Sequence, residues 1–280
     1  MKKTNIIPIL FFIGPISFFI LAFTLFPTVM NFWLSFTKWD GVTLPVFVGI
    51  ENYRKLVVDP DFWLSFWNTI KYVVFIVPLV TFLPLFLAII LYQEFKFNNV
   101  FKSIVIAPFV PSMVVIGVLW RWMYNPFVGP IPLLRALDLL GNYGSALYAV
   151  AFVAFWQAMG FYMYMFLAGL GSISPALYEA AKIDGANSLQ TFRYITLPSL
   201  KPTFAFIVTM AIIWNLQTFD PVFVVTHGGP GFATFTFVYY IFWLTFYRFE
   251  MGYASTIAVV LFALTLIISL LSLKLLGRGE

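Results

Sequence analysis

The chain has no cysteine and a single histidine, His227, which excludes a disulfide framework, a cysteine-held iron–sulfur cluster and a histidine-rich zinc site. Charge is scarce too. Only 10% of the 280 residues are Asp, Glu, Lys or Arg, far below the roughly 25% of a soluble domain. The net charge of +5 is scattered along the chain instead of forming one basic patch, so nucleic acid is not an expected partner. No G-x-x-x-x-G-K-[ST] loop is present to cradle ATP phosphates. No Ser-His-Asp arrangement or acidic metal cluster falls inside the apolar runs, which leaves an enzyme reading with nothing to stand on. The chain is expected to be no enzyme, and to bind no metal and no cofactor itself.

What is abundant is apolar surface: 62% of residues are hydrophobic and 21% aromatic. That composition belongs to a membrane protein. Six apolar runs are long enough to span a bilayer as helices, over about residues 6–30, 66–92, 103–124, 146–170, 203–225 and 252–276. The expected fold is all-α, a polytopic membrane protein with six transmembrane helices, read as a single domain over 1–280. Prolines at 8, 15 and 27, at 78 and 84, and at 108 and 111 predict kinks in the first three spans. Lys2 and Lys3 lead into the first run as in a signal peptide. No charge then appears from Ile6 until Lys38, so a retained first span is expected. No internal repeat of the kind found in many secondary carriers is visible.

With the N-terminus inside, Lys2, Lys3, Lys96, Lys102, Lys182, Arg193, Lys201, Lys274 and Arg278 fall on the cytoplasmic side. The other seven basic residues lie in longer opposite loops. This bias predicts cytoplasmic N- and C-termini in the cell membrane. The polar island at 172–202 is then cytoplasmic as well.

That island stands between two apolar runs. Ser174 and Pro175 are a helix start, and Gly185 is a helix stop. Ser188 is expected to cap a second short helix, and Leu197-Pro198 to close the segment. A helix this short is marginal alone and needs a partner surface, although the residues by themselves are equally compatible with a solvated loop. Glu179-Ala180-Ala181, three residues, Gly185, nine residues, Ile195, one residue, Leu197-Pro198, with Asp184 and Ala186 beside the glycine, resembles the cytoplasmic signature of binding-protein-dependent ABC importer permeases. Phe47-Val48-Gly49-Ile50-Glu51-Asn52-Tyr53, Gly228-Gly229-Pro230 and Met251-Gly252-Tyr253-Ala254 resemble the carbohydrate branch, of maltose, glycerol-3-phosphate and lactose type. The resemblance covers nearly the whole chain, which lacks the large extra outer domain of the bigger maltose-type members.

The resemblance implies that Glu179, Ala180, Ala181, Asp184, Gly185 and Ala186 form a coupling helix that docks on a separate ATPase, which would use the ATP and magnesium. It also implies a second, homologous permease and an extracytoplasmic solute-binding protein as partners, besides lipid and the carbohydrate itself. Amides are costly in hydrocarbon unless they find partners or a cavity. Gln157 sits among Trp156, Phe161, Tyr162 and Tyr164, and Trp214, Asn215, Gln217 and Thr218 lie beyond the island. Aromatic faces with amides suit a sugar ring, although each residue alone could equally hold helices together. Carried over from maltose-type permeases, Gln157, Phe161, Trp214, Asn215 and Thr218 are the expected substrate-binding residues. Asp220 is read as an interfacial carboxylate, and His227 as a turn residue that could also serve as a ligand or proton relay.

The expected function is translocation of an oligosaccharide or related sugar by alternating access, driven by partner ATPases. The alternatives are a permease for another polar solute such as glycerol 3-phosphate, an ion-gradient-driven carrier, and a membrane-embedded enzyme or scaffold.

Overall fold

The computed structural model describes residues 6–93 and 95–276. Lys2, Lys3 and Arg278, used above for orientation, and Glu94 in the second connection lie outside the described residues. In chain order, α1 (Ile6–Ile20) passes through a five-residue π-turn, Leu21–Leu25, into α2 (Phe26–Leu34). A two-stranded antiparallel ribbon follows, β1 (Thr37–Lys38) against β2 (Val46–Phe47), with Thr37 opposite Phe47. Then come α3 (Glu51–Val58), α4 (Pro60–Tyr92), α5 (Asn98–Ile106), α6 (Met113–Met123), α7 (Pro132–Leu137) and α8 (Ala146–Gly171). After these lie α9 (Pro175–Ile183), α10 (Ser188–Thr191), α11 (Leu197–Ser199), α12 (Lys201–Leu216), α13 (Asp220–Val225), α14 (Phe237–Phe246) and α15 (Met251–Leu276). Apart from the ribbon, the regular structure is helical, as expected.

Among the described residues, four helical stretches are long and apolar enough to cross a membrane: 13–34, 60–92, 146–171 and 251–272. Two bent pairs complete the six. Asn98–Phe109 meets Met113–Met123 at 92°, and Ser188–Ser199 meets Lys201–Leu216 at 61°. The first bend sits where Pro108 and Pro111 interrupt the backbone ladder, so the third span is a sharp corner where a kink was predicted. Pro78 and Pro84, by contrast, lie within the unbroken α4. The irregularity of the first span is the π-turn, where Phe26 N–H reaches Leu21 O just ahead of Pro27.

The chain divides into two compact units. One comprises the residues up to Pro60 together with Tyr240–Ala263. In it the hydroxyls of Tyr240 and Tyr253 both donate to Asp59 Oδ2, at 2.7 and 2.5 Å. Thr256 donates to Ser35 O at 3.0 Å, which fastens α15 to the end of α2. The other comprises Asp61–Tyr239 with Leu264–Glu280. Its centre is α8, whose Val150, Val153, Met163 and Phe166 are fully buried. In lipid the driving force for such packing is close van der Waals fit at small residues, and Gly160 supplies it. A Cβ there would lie 2.4 Å from Val105 O and 2.5 Å from Ile106 Cα, so glycine lets the backbones of α8 and α5 touch.

Candidate functional site

Two features of the second unit gather the residues singled out above. The first is the polar segment. α9 starts at Ser174, with Pro175 in its first turn, but the Ser174 side chain makes no capping hydrogen bond. The start rests on proline's preset φ and on Leu177 N–H donating to Ser174 O. The end is as expected. Gly185 adopts φ +72°, Ala186 N–H donates to Ala181 O at 2.9 Å, and Gly185 N–H donates to Lys182 O at 3.2 Å. These two bonds satisfy carbonyls the helix would otherwise leave open. The second short helix is capped by Asn187, not Ser188. Asn187 Oδ1 accepts from Gln190 N–H at 2.9 Å while Gln190 Oε1 accepts from Asn187 N–H at 2.8 Å. Nor does Leu197-Pro198 close the segment. A π-turn at Phe192–Thr196 moves the ladder by one residue just before Pro198, and the helix continues through α11 until the bend at Leu200.

Glu179, Ala180, Asp184 and Gly185 are exposed, Ala186 is half-buried, and Ala181 is buried. Ala181 therefore faces inward, toward the fold. Two large apolar groups of α9 that sequence reasoning passed over are exposed: Ile183, 86% exposed and turned away from Ala181, and Leu177, 47% exposed. Tyr178, another residue passed over, pins the helix down through its hydroxyl, 3.2 Å from Thr196 Oγ1.

The second feature is a cavity of about 340 Å³ lined by residues of α4, α6, α8, α12 and α13 and of the break between the last two. Gln157, Trp214, Asn215 and Thr218 all line it. Phe161 does not. It stacks on Phe109, centroids 5.0 Å apart at 18°, with Trp214 5.6 Å away on another side, and so backs the Trp214 wall. The break arises because α12 stops at Leu216 and α13 begins at Asp220. Non-helical backbone at membrane depth is tolerated where it lines a cavity, and residues 217–219 are of that kind.

Two of the cavity's amides, Gln157 and Asn215, are already half engaged. Gln157 Nε2 donates to Pro111 O at 2.9 Å and Asn215 Nδ2 donates to Ala211 O at 2.7 Å. Both amide oxygens are left to accept. Pro111 O depends on Gln157 because Val115 N–H, the donor a continuous helix would have offered it, turns to Ser112 Oγ. Tyr162, Gln217 and Asp220 also line the cavity, as do Ile76, Val80 and Met113. Asp220, read as an interfacial carboxylate that could also help a cation or hydroxyl-rich substrate pass, is one of the wall residues, and no cation is among the described residues lining it. His227 sits at φ +49°, its Nε2 3.2 Å from Arg121 Nη1.

A membrane bundle with two broken spans, a polar cavity beside one break and a short exposed helix between spans defines a transport subunit. The chain belongs to the family of binding-protein-dependent transport system inner membrane components, which matches residues 41–278. It is 37% identical to a probable ABC transporter permease protein of Pyrococcus horikoshii, covering 100% of this chain and 99% of that one. It is 34% identical to the arabinooligosaccharides transport system permease protein of Bacillus subtilis, covering 96% and 89%. The fold matches that of a bacterial ABC transporter involved in the import of the acidic polysaccharide alginate, with a TM-score of 0.86 and 20% identity over 99% of this chain and 97% of the other.

Proposed function

We propose that this chain is the translocating subunit of an ABC importer for a neutral carbohydrate. The observation that carries the cargo is the cavity: two amide oxygens free to accept, the Trp214 and Tyr162 aromatics, and a carboxylate, Asp220, as its charged group. Hydroxyl groups can donate to those oxygens and sugar rings can lie on the aromatic faces. A carboxylate without a balancing cation repels a phosphate ester, so the same wall speaks against glycerol 3-phosphate. The named cargo of the Bacillus relative, arabinooligosaccharides, supports the same class.

The Glu179–Ala186 segment is the coupling element, docking on an ATPase that uses ATP and magnesium. Leu177, Ile183 and Glu179 supply its contact surface. The α9 side is cytoplasmic, together with both termini. A solute-binding protein delivers sugar to the opposite face, and a second, homologous permease completes the pathway. The whole chain acts as one permease domain.

Asn215→Ala tests the cargo site. Because Asn215 would accept from a substrate hydroxyl, its loss should raise the half-saturating sugar concentration about tenfold, the worth of one good hydrogen bond. ATP hydrolysis by the assembled complex should persist. An unchanged concentration dependence would remove Asn215 from the site.

A further inference from the structure

A cleft of the first unit, about 1160 Å³, is formed by the ribbon, α3 and the start of α15. It shares no residue with the membrane cavity. Its walls are aromatic, with Trp39, Phe249 and Tyr253, and its framework is rigid. Trp39 Nε1–H donates to Thr43 O at 2.7 Å, Tyr253 donates to Asp59, and Asn52 Nδ2 donates to Ser35 O and Thr37 O at 3.0 and 2.8 Å. Phe249 is held at φ +54° while 58% exposed. A non-glycine side chain pays for that conformation with about 1–2 kcal/mol, and such strain gathers at ligand clamps.

The charged groups of the cleft divide into committed and free. Glu250 pairs with Lys55, and Asp40 is occupied by donors from its own turn. Lys38, Arg54 and Glu51 have no side-chain hydrogen bond or ion pair among the described residues. The cleft thus offers two free cationic donors, the free carboxylate of Glu51 and the remaining Oδ1 of Asn52 as acceptors, all beside aromatic faces. Over the lining as a whole Lys38, Arg54 and Lys55 balance Asp40, Glu51 and Glu250, so net charge does not select an ion. A ligand that both donates and accepts at neighbouring atoms uses them all, and vicinal hydroxyls on a sugar ring do so.

We infer that this cleft is a second saccharide-binding site, distinct in its residues from the membrane cavity. Lys38 and Arg54 donate to ring hydroxyls, Glu51 accepts from them, and Trp39 and Phe249 flank the ring. The inference rests on the carbohydrate reading above.

The test is equilibrium binding of radiolabelled maltotriose and arabinotriose to the assembled transporter in nanodiscs without binding protein. Wild type is compared with Arg54→Gln, Glu51→Gln and Asn215→Ala. Arg54 and Glu51 are exposed, so both variants should fold. At least one trisaccharide should bind, about tenfold more weakly to Arg54→Gln and Glu51→Gln. Asn215→Ala should retain the cleft's binding. Saccharide binding that is indifferent to both cleft variants overturns the inference while leaving the carbohydrate reading intact. No binding of either trisaccharide, together with no ATP-driven uptake of them, overturns both.

Discussion

Gln157 on α8 donates to the carbonyl of Pro111 at 2.9 Å, across the corner where the third span breaks. One side chain therefore closes a backbone gap made by prolines and presents its oxygen to the cavity. This bond joins the bend of the span to the cavity wall.

Gln157→Met keeps the length of the side chain and removes the donor. Pro111 O then loses its partner, which should cost about 1–3 kcal/mol. The apparent melting temperature of the purified complex should fall and the half-saturating sugar concentration should rise. A change in only one of these would separate the structural part from the binding part.

Gly160→Ala sets two effects of opposite sign against each other. Alanine is the better helix former by about 1 kcal/mol, but its Cβ would meet Val105 O at 2.4 Å. Backbone atoms cannot give way as a flexible side chain can, so overpacking of about 1–3 kcal/mol should dominate. Lower stability in thermal unfolding is expected, and a more stable protein would mean that α8 and α5 are not in contact.

The turn after β1 is tuned by acid. Asp40 accepts from Thr43 N–H at 2.8 Å, from Val42 N–H at 2.9 Å and from the Thr43 hydroxyl at 2.8 Å. These bonds, led by that of the Thr43 amide, lower its pKa from 3.8 to about 2. With the folded value depressed, the stabilising contribution is complete above pH 3.8 and is lost as pH falls through about 2. The protection of the Val42 and Thr43 amides, taken as the exchange rate relative to the intrinsic rate at the same pH, should fall across that window in the wild type. Asp40→Asn should exchange faster already at neutral pH and show little further change.

The spans were legible because apolar runs of that length have few other uses, and the short helix of the polar segment because Pro175 and Gly185 mark its start and stop. Gly185 shows why such a signal works: its left-handed backbone admits few other residues, so spacing and conformation coincide. The cavity was only partly legible. Gln157, Asn215 and Thr218 stand out as polar groups in apolar runs, whereas Ile76, Val80 and Met113 look like any lipid-facing residue until the fold turns them inward. Phe161 and Trp214 are the same kind of residue by sequence, and only packing puts one behind the other. Asn187 and Ser188 are both good caps, and the reciprocal bonds with Gln190 decide between them. The continuation through Pro198 was hidden because a π-turn leaves no mark in composition.

The segment ending at Gly185 is proposed to transmit ATP hydrolysis to a carbohydrate pathway in this chain. The most direct measurement is ATP-driven trisaccharide uptake by the transporter, assembled with its ATPases and binding protein in liposomes, for wild type, Gly185→Asn and Gly185→Pro. Asparagine tolerates the left-handed φ of +72°, whereas proline is locked near −65°. The account predicts ATP-dependent uptake in the wild type, most of it retained with asparagine, and uptake at background with proline although the complex still inserts. Full uptake by Gly185→Pro, or uptake driven by an ion gradient without ATP, would contradict it.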